Sequence, residues 1–143
     1  MSDLPCTRIL VADSHPGVND ALQTLFNAHA DLMVVGQATH FTDLLAQIQQ
    51  HRPDVVLLDE HLAGLPPQSA LDDLPDLQAL TPRPKIIGMS TWLGAAASPF
   101  FASVHGFISK TDPPEQVLRV VRAVALANLS SPPTSSPSDS PSD

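Results

Sequence analysis

Asp54-Val55-Val56-Leu57-Leu58-Asp59 is a run of four aliphatic residues closed by a carboxylate. Apolar and short, it reads as a strand buried on both faces, with Asp59 delivered at its C-terminal end. Arg8-Ile9-Leu10-Val11-Ala12-Asp13 repeats the design and delivers Asp13. Two later strands end in different chemistry: Lys85-Ile86-Ile87-Gly88-Met89-Ser90 in a hydroxyl, and Gly106-Phe107-Ile108-Ser109-Lys110 in an ammonium. In a parallel α/β sheet, ligands bind just outside the carboxyl ends of the strands. Four strands thus aim acid, acid, hydroxyl and amine at one rim.

Helix signals fill the intervals. Val18, Ala21, Leu22, Leu25 and Phe26 recur at helical spacing, with Pro16 acceptable near the helix start. Asp31–Gly36 reads as the second strand. Thr42 is expected to cap a helix carrying Leu44, Leu45 and Ile48, which Pro53 stops. Leu71, Leu74, Leu77 and Leu80 form a weaker stripe that Pro75 must kink or split. Leu93–Val104 is a short, Ala-rich helix at best, interrupted by Pro99. Pro113-Pro114-Glu115 opens a last helix with Val117, Val120, Val121 and Val124 on one face. Five β-α repeats with right-handed crossovers demand a five-stranded parallel sheet with helices on both faces. Strand order 2-1-3-4-5 sets the first and third strands side by side, so Asp13 and Asp59 meet where the order reverses.

At 143 residues the chain fits one domain with a substantial core, expected over residues 7–128 after a short lead at 1–6. Ser130–Asp143 holds seven Ser, four Pro, two Asp and one Thr. Such a composition buries too little apolar surface to offset its ordering entropy, so residues 129–143 are expected to be a disordered tail or linker. Net charge is −8, and seven Lys plus Arg are scattered along the chain. No basic stripe is available to neutralise phosphates, which argues against nucleic-acid binding by this chain alone. One cysteine, Cys6, excludes an internal disulfide framework. No apolar run reaches the roughly 18 residues of a membrane span, and the N-terminus lacks the pattern of a secretory leader. The expectation is a cytoplasmic protein without membrane contact.

The rim has a chemical logic of its own. Two close carboxylates repel unless a cation lies between them, and Mg²⁺ suits hard oxygen ligands while needing few from the protein. A carboxylate facing Mg²⁺ can act as a nucleophile and become an aspartyl phosphate. Metal, ammonium and hydroxyl can each take one equatorial oxygen of the transferred group.

Asp13, Asp59, Ser90-Thr91 and Gly106-Phe107-Ile108-Ser109-Lys110 together resemble the receiver domain of two-component response regulators. Ile9–Pro16 and Val34–Ala38 look most like receivers of the LuxR-type class. The resemblance covers roughly residues 7 to 128 and implies a flavodoxin-like (βα)5 fold. It also implies that Asp59 is the phosphoacceptor, Lys110 the phosphate-binding lysine, Ser90 the switch hydroxyl and Phe107 the switch aromatic. Asp13, Asp59 and the backbone carbonyl of His61 would hold Mg²⁺. The implied phosphoryl donor is a histidine kinase or phosphotransfer protein. Output would pass to a downstream protein or a C-terminal DNA-binding domain beyond this chain, with a homodimer as one arrangement.

Departures accompany the match. Ser14 stands where the family usually carries a second acid on the first strand, so Mg²⁺ binding should be weak. The usual Met-Pro after the phosphoacceptor is Leu62-Ala63, and the glycine that commonly follows is missing. The chain is shortened between Ser90 and Lys110. These features support a second reading, an atypical receiver that binds partners without being phosphorylated. A third arises from Asp13-Ser14-His15 and Asp59-Glu60-His61. Carboxylate plus imidazole suits Zn²⁺, Mn²⁺ or Fe²⁺, and hence a metal-dependent hydrolase. Trp92, just past Ser90, is expected to shield an acyl phosphate from water, and Phe100-Phe101 to pack in the core.

Overall fold

The apolar runs form strands and the periodic segments form helices in the computed structural model, which describes residues 6–65, 79–80, 83–90 and 104–130. In chain order these are β1 (Thr7–Ala12), α1 (Pro16–Asn27), β2 (Leu32–Ala38), α2 (Phe41–His51), β3 (Val55–Asp59), β4 (Lys85–Ser90), β5 (Gly106–Ser109) and α3 (Pro114–Ser130). The five strands make one sheet of order β2-β1-β3-β4-β5, and every pairing is parallel. This is the doubly wound α/β fold expected from the sequence.

Period-two alternation sorts the core into two layers. Ile9, Val11, Val55, Leu57, Ile87, Met89 and Ile108 pack with Phe26 of α1 and Val117, Val121 and Val124 of α3. Leu10, Ala12, Val56, Leu58 and Ile86 pack on the other face with Phe41, Leu44 and Ile48 of α2, joined by Leu62, Leu65 and Leu80. Central β3 is buried at every position, which is why its four aliphatic residues show no alternation in polarity. Each fully buried aliphatic side chain contributes about 1.5–3 kcal/mol.

Several boundaries differ from expectation, each for a local reason. β2 runs on to Ala38 because its pairing with β1 continues; between Ile9↔Val34 and Leu10↔Gly36 the register shifts, so Val35 is an extra residue in a bulge. His40, not Thr42, caps α2: its Nδ1 accepts the Thr42 N–H at 3.1 Å. The helix starts early because Phe41, in its first turn, is needed in the core. Arg52 ends α2 in the left-handed region at φ 49°, immediately before Pro53. α3 runs from Pro114 to Ser130. The stripe at Leu71, Leu74 and Leu77, most of the segment 93–104, Trp92, Phe100-Phe101 and residues 131–143 lie outside the described residues.

Side chains cover part of the outer edge at β2. Asn27 Oδ1 accepts the Val34 N–H at 2.9 Å, and Gln47 Nε2 donates to the Gln37 carbonyl at 2.6 Å. At the N-terminal ends of the strands, Arg122 of α3 holds Asp31 through two bonds, Nε to Oδ2 at 3.0 Å and Nη2 to Oδ1 at 3.1 Å. Among the described residues, no helix is long and apolar enough to cross a membrane.

Candidate functional site

Strand register brings the acids together. Ala12 lies opposite Leu58, so Asp13, one residue on, flanks Asp59; Asp59 in turn lies opposite Met89, and Ser90 opposite Ser109. The Lys110 amide bonds to the Ser90 carbonyl at 2.8 Å and extends that ladder by one residue. Asp13, Asp59 and Lys110 continue the parity of Ile9-Val11, Val55-Leu57 and Ile108, the layer under α1 and α3. Ser90 continues the parity of Ile86 on the α2 side, and Phe107 packs against that same layer. Ser90 therefore flanks the carboxylates from the side opposite the lysine.

Lys110 Nζ bridges the two acids, lying 2.8 Å from Asp59 Oδ1 and in contact with Asp13 Oδ2. Asp13 is fully buried and the Lys110 side chain is only 15% exposed, so these charges attract with little screening by water. Asp13 Oδ1 accepts the His15 N–H at 2.9 Å and lies 3.0 Å from His15 Nδ1. Its buried Oδ2 has no hydrogen bond apart from the ionic contact with lysine. Asp59 Oδ2 accepts the His61 N–H at 3.0 Å.

Burial pushes the Asp13 carboxyl up, and this is the largest single influence on it. The Lys110 contact and the His15 bonds together outweigh burial and hold Asp13 below the ordinary 3.8. Burial likewise depresses the Lys110 ammonium, but bonds to Asp13 and Asp59 leave it above the ordinary 10.5. Both shifts favour the charged forms, so at neutral pH Asp13 is an anion and Lys110 a cation.

Two residues belong to the site that sequence reasoning did not assign correctly. Asn19, fully buried on α1, donates from Nδ2 to the Asp13 and Ala38 carbonyls, both at 3.1 Å. It fixes the turn that presents Asp13. Ser14, expected to lower the charge of the site, engages the loop after β3: its Oγ accepts the Ala63 N–H at 2.9 Å and donates to the His61 carbonyl at 3.4 Å. The loop after β3 does have a glycine turn, because Gly64 adopts φ 86°. The expected absence of a glycine there is corrected accordingly.

The paired Asp-x-His units do not converge. The His61 side chain is 84% exposed and lies 3.8 Å from Glu60, whereas His15 touches Asp13. Among the described residues, no three His, Cys, Asp or Glu side chains gather to hold a metal ion. What does converge is a carboxylate pair and a lysine.

The family model of the response regulator receiver domain matches residues 9–122, and the chain belongs to that family. It is similar to the uncharacterized transcriptional regulatory protein YxjL of Bacillus subtilis, 28% identical over 120 residues, covering 82% of this chain and 54% of that protein. It is also similar to the oxygen regulatory protein NreC of Staphylococcus epidermidis, 29% identical over 120 residues, with 82% and 54% covered. The chain thus spans about half the length of the curated relatives it matches, 54% for both of these. Among solved structures, a LuxR-family two-component response regulator from Aurantimonas superposes with a TM-score of 0.72 at 22% identity, covering 85% of this chain and 86% of that one. The CheY6 structure from R. sphaeroides, solved with the P1 domain of CheA3, gives a TM-score of 0.68 at 18% identity, with 86% and 99% covered. The chain is a receiver domain of the two-component systems, with LuxR- and NarL-type relatives and a signalling rather than catalytic role.

Proposed function

We propose that Asp59 accepts a phosphoryl group from a histidine kinase or phosphotransfer protein. The observation that carries this reading is the Lys110 ammonium, its side chain only 15% exposed, held between the buried acids Asp59 and Asp13. A merely structural strand-end acid has no need of a second buried acid and a shared lysine. In the reaction an Asp59 carboxylate oxygen attacks phosphorus, and the bond to the donor's nitrogen or oxygen breaks with its electron pair leaving on the donor. Lys110 then moves from pairing a carboxylate to pairing a phosphoryl oxygen. Ser90, from the other side, donates to a second oxygen. Phe107, packed beneath Ser90's layer, responds to that movement and biases a two-state equilibrium.

The donor set fits a hard divalent cation, since Asp13 and Asp59 supply buried carboxylate oxygens and the His61 carbonyl adds a further oxygen. Mg²⁺ held there would offset phosphoryl charge. Ser14 removes one negative charge from that set, so affinity is weak. Slow self-catalysed loss of the phosphoryl group is the only turnover proposed.

The receiver unit is taken as residues 7–128, with 129–143 as a linker or tail, working in the cytoplasm. Output passes to a downstream protein or to a DNA-binding domain of the kind expected in the longer relatives, through a monomer or a homodimer. Incubation with acetyl phosphate and Mg²⁺ should add one phosphoryl group by intact mass, and Asp59→Asn should abolish it. The atypical reading has one observation in its favour, the hydroxyl at Ser14. No adduct from acetyl phosphate or from any kinase tried would select it.

A further inference from the structure

Ser14 lies where the resembled family usually carries a metal-binding acid, and here it is engaged with protein. Its Oγ accepts the Ala63 N–H at 2.9 Å and donates to the His61 carbonyl at 3.4 Å. One hydroxyl thereby spans the gap between the turn after β1 and the loop after β3. A metal ion at this rim would link the same two segments, through Asp13 on one side and Asp59 with the His61 carbonyl on the other. We infer that Ser14 is a positioning residue, a hydroxyl clasp that holds the His61–Ala63 loop against the first turn, and that a cation at the His61 carbonyl competes with its bond there.

Three features support the clasp. The loop is otherwise anchored at each end, by Phe41 N–H on the Ala63 carbonyl at 2.7 Å and by Asp59 Oδ2 on the His61 N–H at 3.0 Å, so the Ala63 N–H is the group left for Ser14 to satisfy. A hydroxyl is both donor and acceptor, and only such a group can serve an N–H and a carbonyl at once; a carboxylate in this position would repel the carbonyl. Finally, Lys110 supplies a positive charge between the acids, so the ends of β1 and β3 that lead into the two clasped segments are held side by side.

The second half of this inference rests on the proposed cation site; the first does not, and the experiment separates them. Amide exchange of the full chain, followed residue by residue in chelator, should show Ala63 protected in the wild type. Protection should fall about tenfold in Ser14→Ala and in Ser14→Cys, which keeps the volume but bonds weakly, and should persist in Ser14→Thr. Core amides of β1 and β3 must stay protected throughout, so that loop release is distinguished from unfolding. Unchanged Ala63 protection in Ser14→Ala would overturn the clasp. Mg²⁺ titration read from the same amides should then show about threefold tighter binding to Ser14→Ala, because the His61 carbonyl is released. Weaker binding by Ser14→Ala would overturn the competition, since Ser14 would then be helping to hold the ion. Absence of a Mg²⁺ response in every protein would remove the cation site and with it the competition, leaving the metal-free clasp judged by exchange alone.

Discussion

Two ion-pair assemblies lie at opposite ends of the same sheet and are built from the same kinds of group. At the carboxyl ends, Lys110 bridges Asp13 and Asp59 almost out of water. At the amino ends, Arg122 makes a better-shaped bidentate pair with Asp31, yet both side chains are about half exposed, at 44% and 45%. Solvent, not geometry, separates their consequences. The Arg122 pair can be lost and its members rehydrated at little cost. The rim trio has no such exit, because removing any member strands a charge in a poorly hydrated place. Stored electrostatic imbalance of that kind can respond when a new charge arrives, as an acyl phosphate would.

The comparison is broken most sharply by Lys110→Met. Two neighbouring carboxylates would then face each other without a cation, and urea unfolding at neutral pH should show a loss of about 3 kcal/mol. Acidification should narrow the deficit, since protonating one acid relieves the repulsion. In the wild type the signs run differently. Asp13 is held below 3.8, so its contribution is complete above that value and is lost as pH falls through the lowered one. Lys110 is held above 10.5, so its contribution is complete below that value and disappears as pH rises through the raised one. Pairing at the rim should therefore leave stability flat between about pH 5 and 9. A steep change there in wild type but not in Lys110→Met would contradict this.

Asn19→Leu sharpens the comparison by testing burial without charge. Two carbonyls, those of Asp13 and Ala38, would lose their shared donor. Denaturant unfolding should show a loss of about 2 kcal/mol, insensitive to salt. Smallest is Arg122→Ala, with a loss below about 1 kcal/mol that vanishes in high salt. A larger, salt-independent effect there would mean that exposure does not separate the two assemblies.

Strand content and order were legible because the strands are short and apolar, all but β2 lead straight into a polar residue, and tertiary burial agrees with local pattern. Asp13, Asp59 and Lys110 were found for the same reason: their position at a strand end fixes where they go. Asn19 was not legible, because a polar residue beside Val18 reads as solvated on a helix whose core face is counted from its hydrophobes. The role of Ser14 was hidden as well, since its partners are 47 and 49 residues away and belong to a loop without periodicity. The α2 cap was misassigned to Thr42 because capping preference was weighed without the pull of Phe41 into the core.

The finish of the sheet at β2 has a consequence for behaviour at high concentration. An outermost strand with open backbone groups is a template on which another chain can add a strand. Here the Val34 N–H is taken by Asn27 and the Gln37 carbonyl by Gln47, carboxamides reaching in from α1 and α2. A second copy arriving at that edge would have to evict both before it could zip alongside. Crowding copies of this domain together therefore gives the β2 edge little to offer an incoming strand.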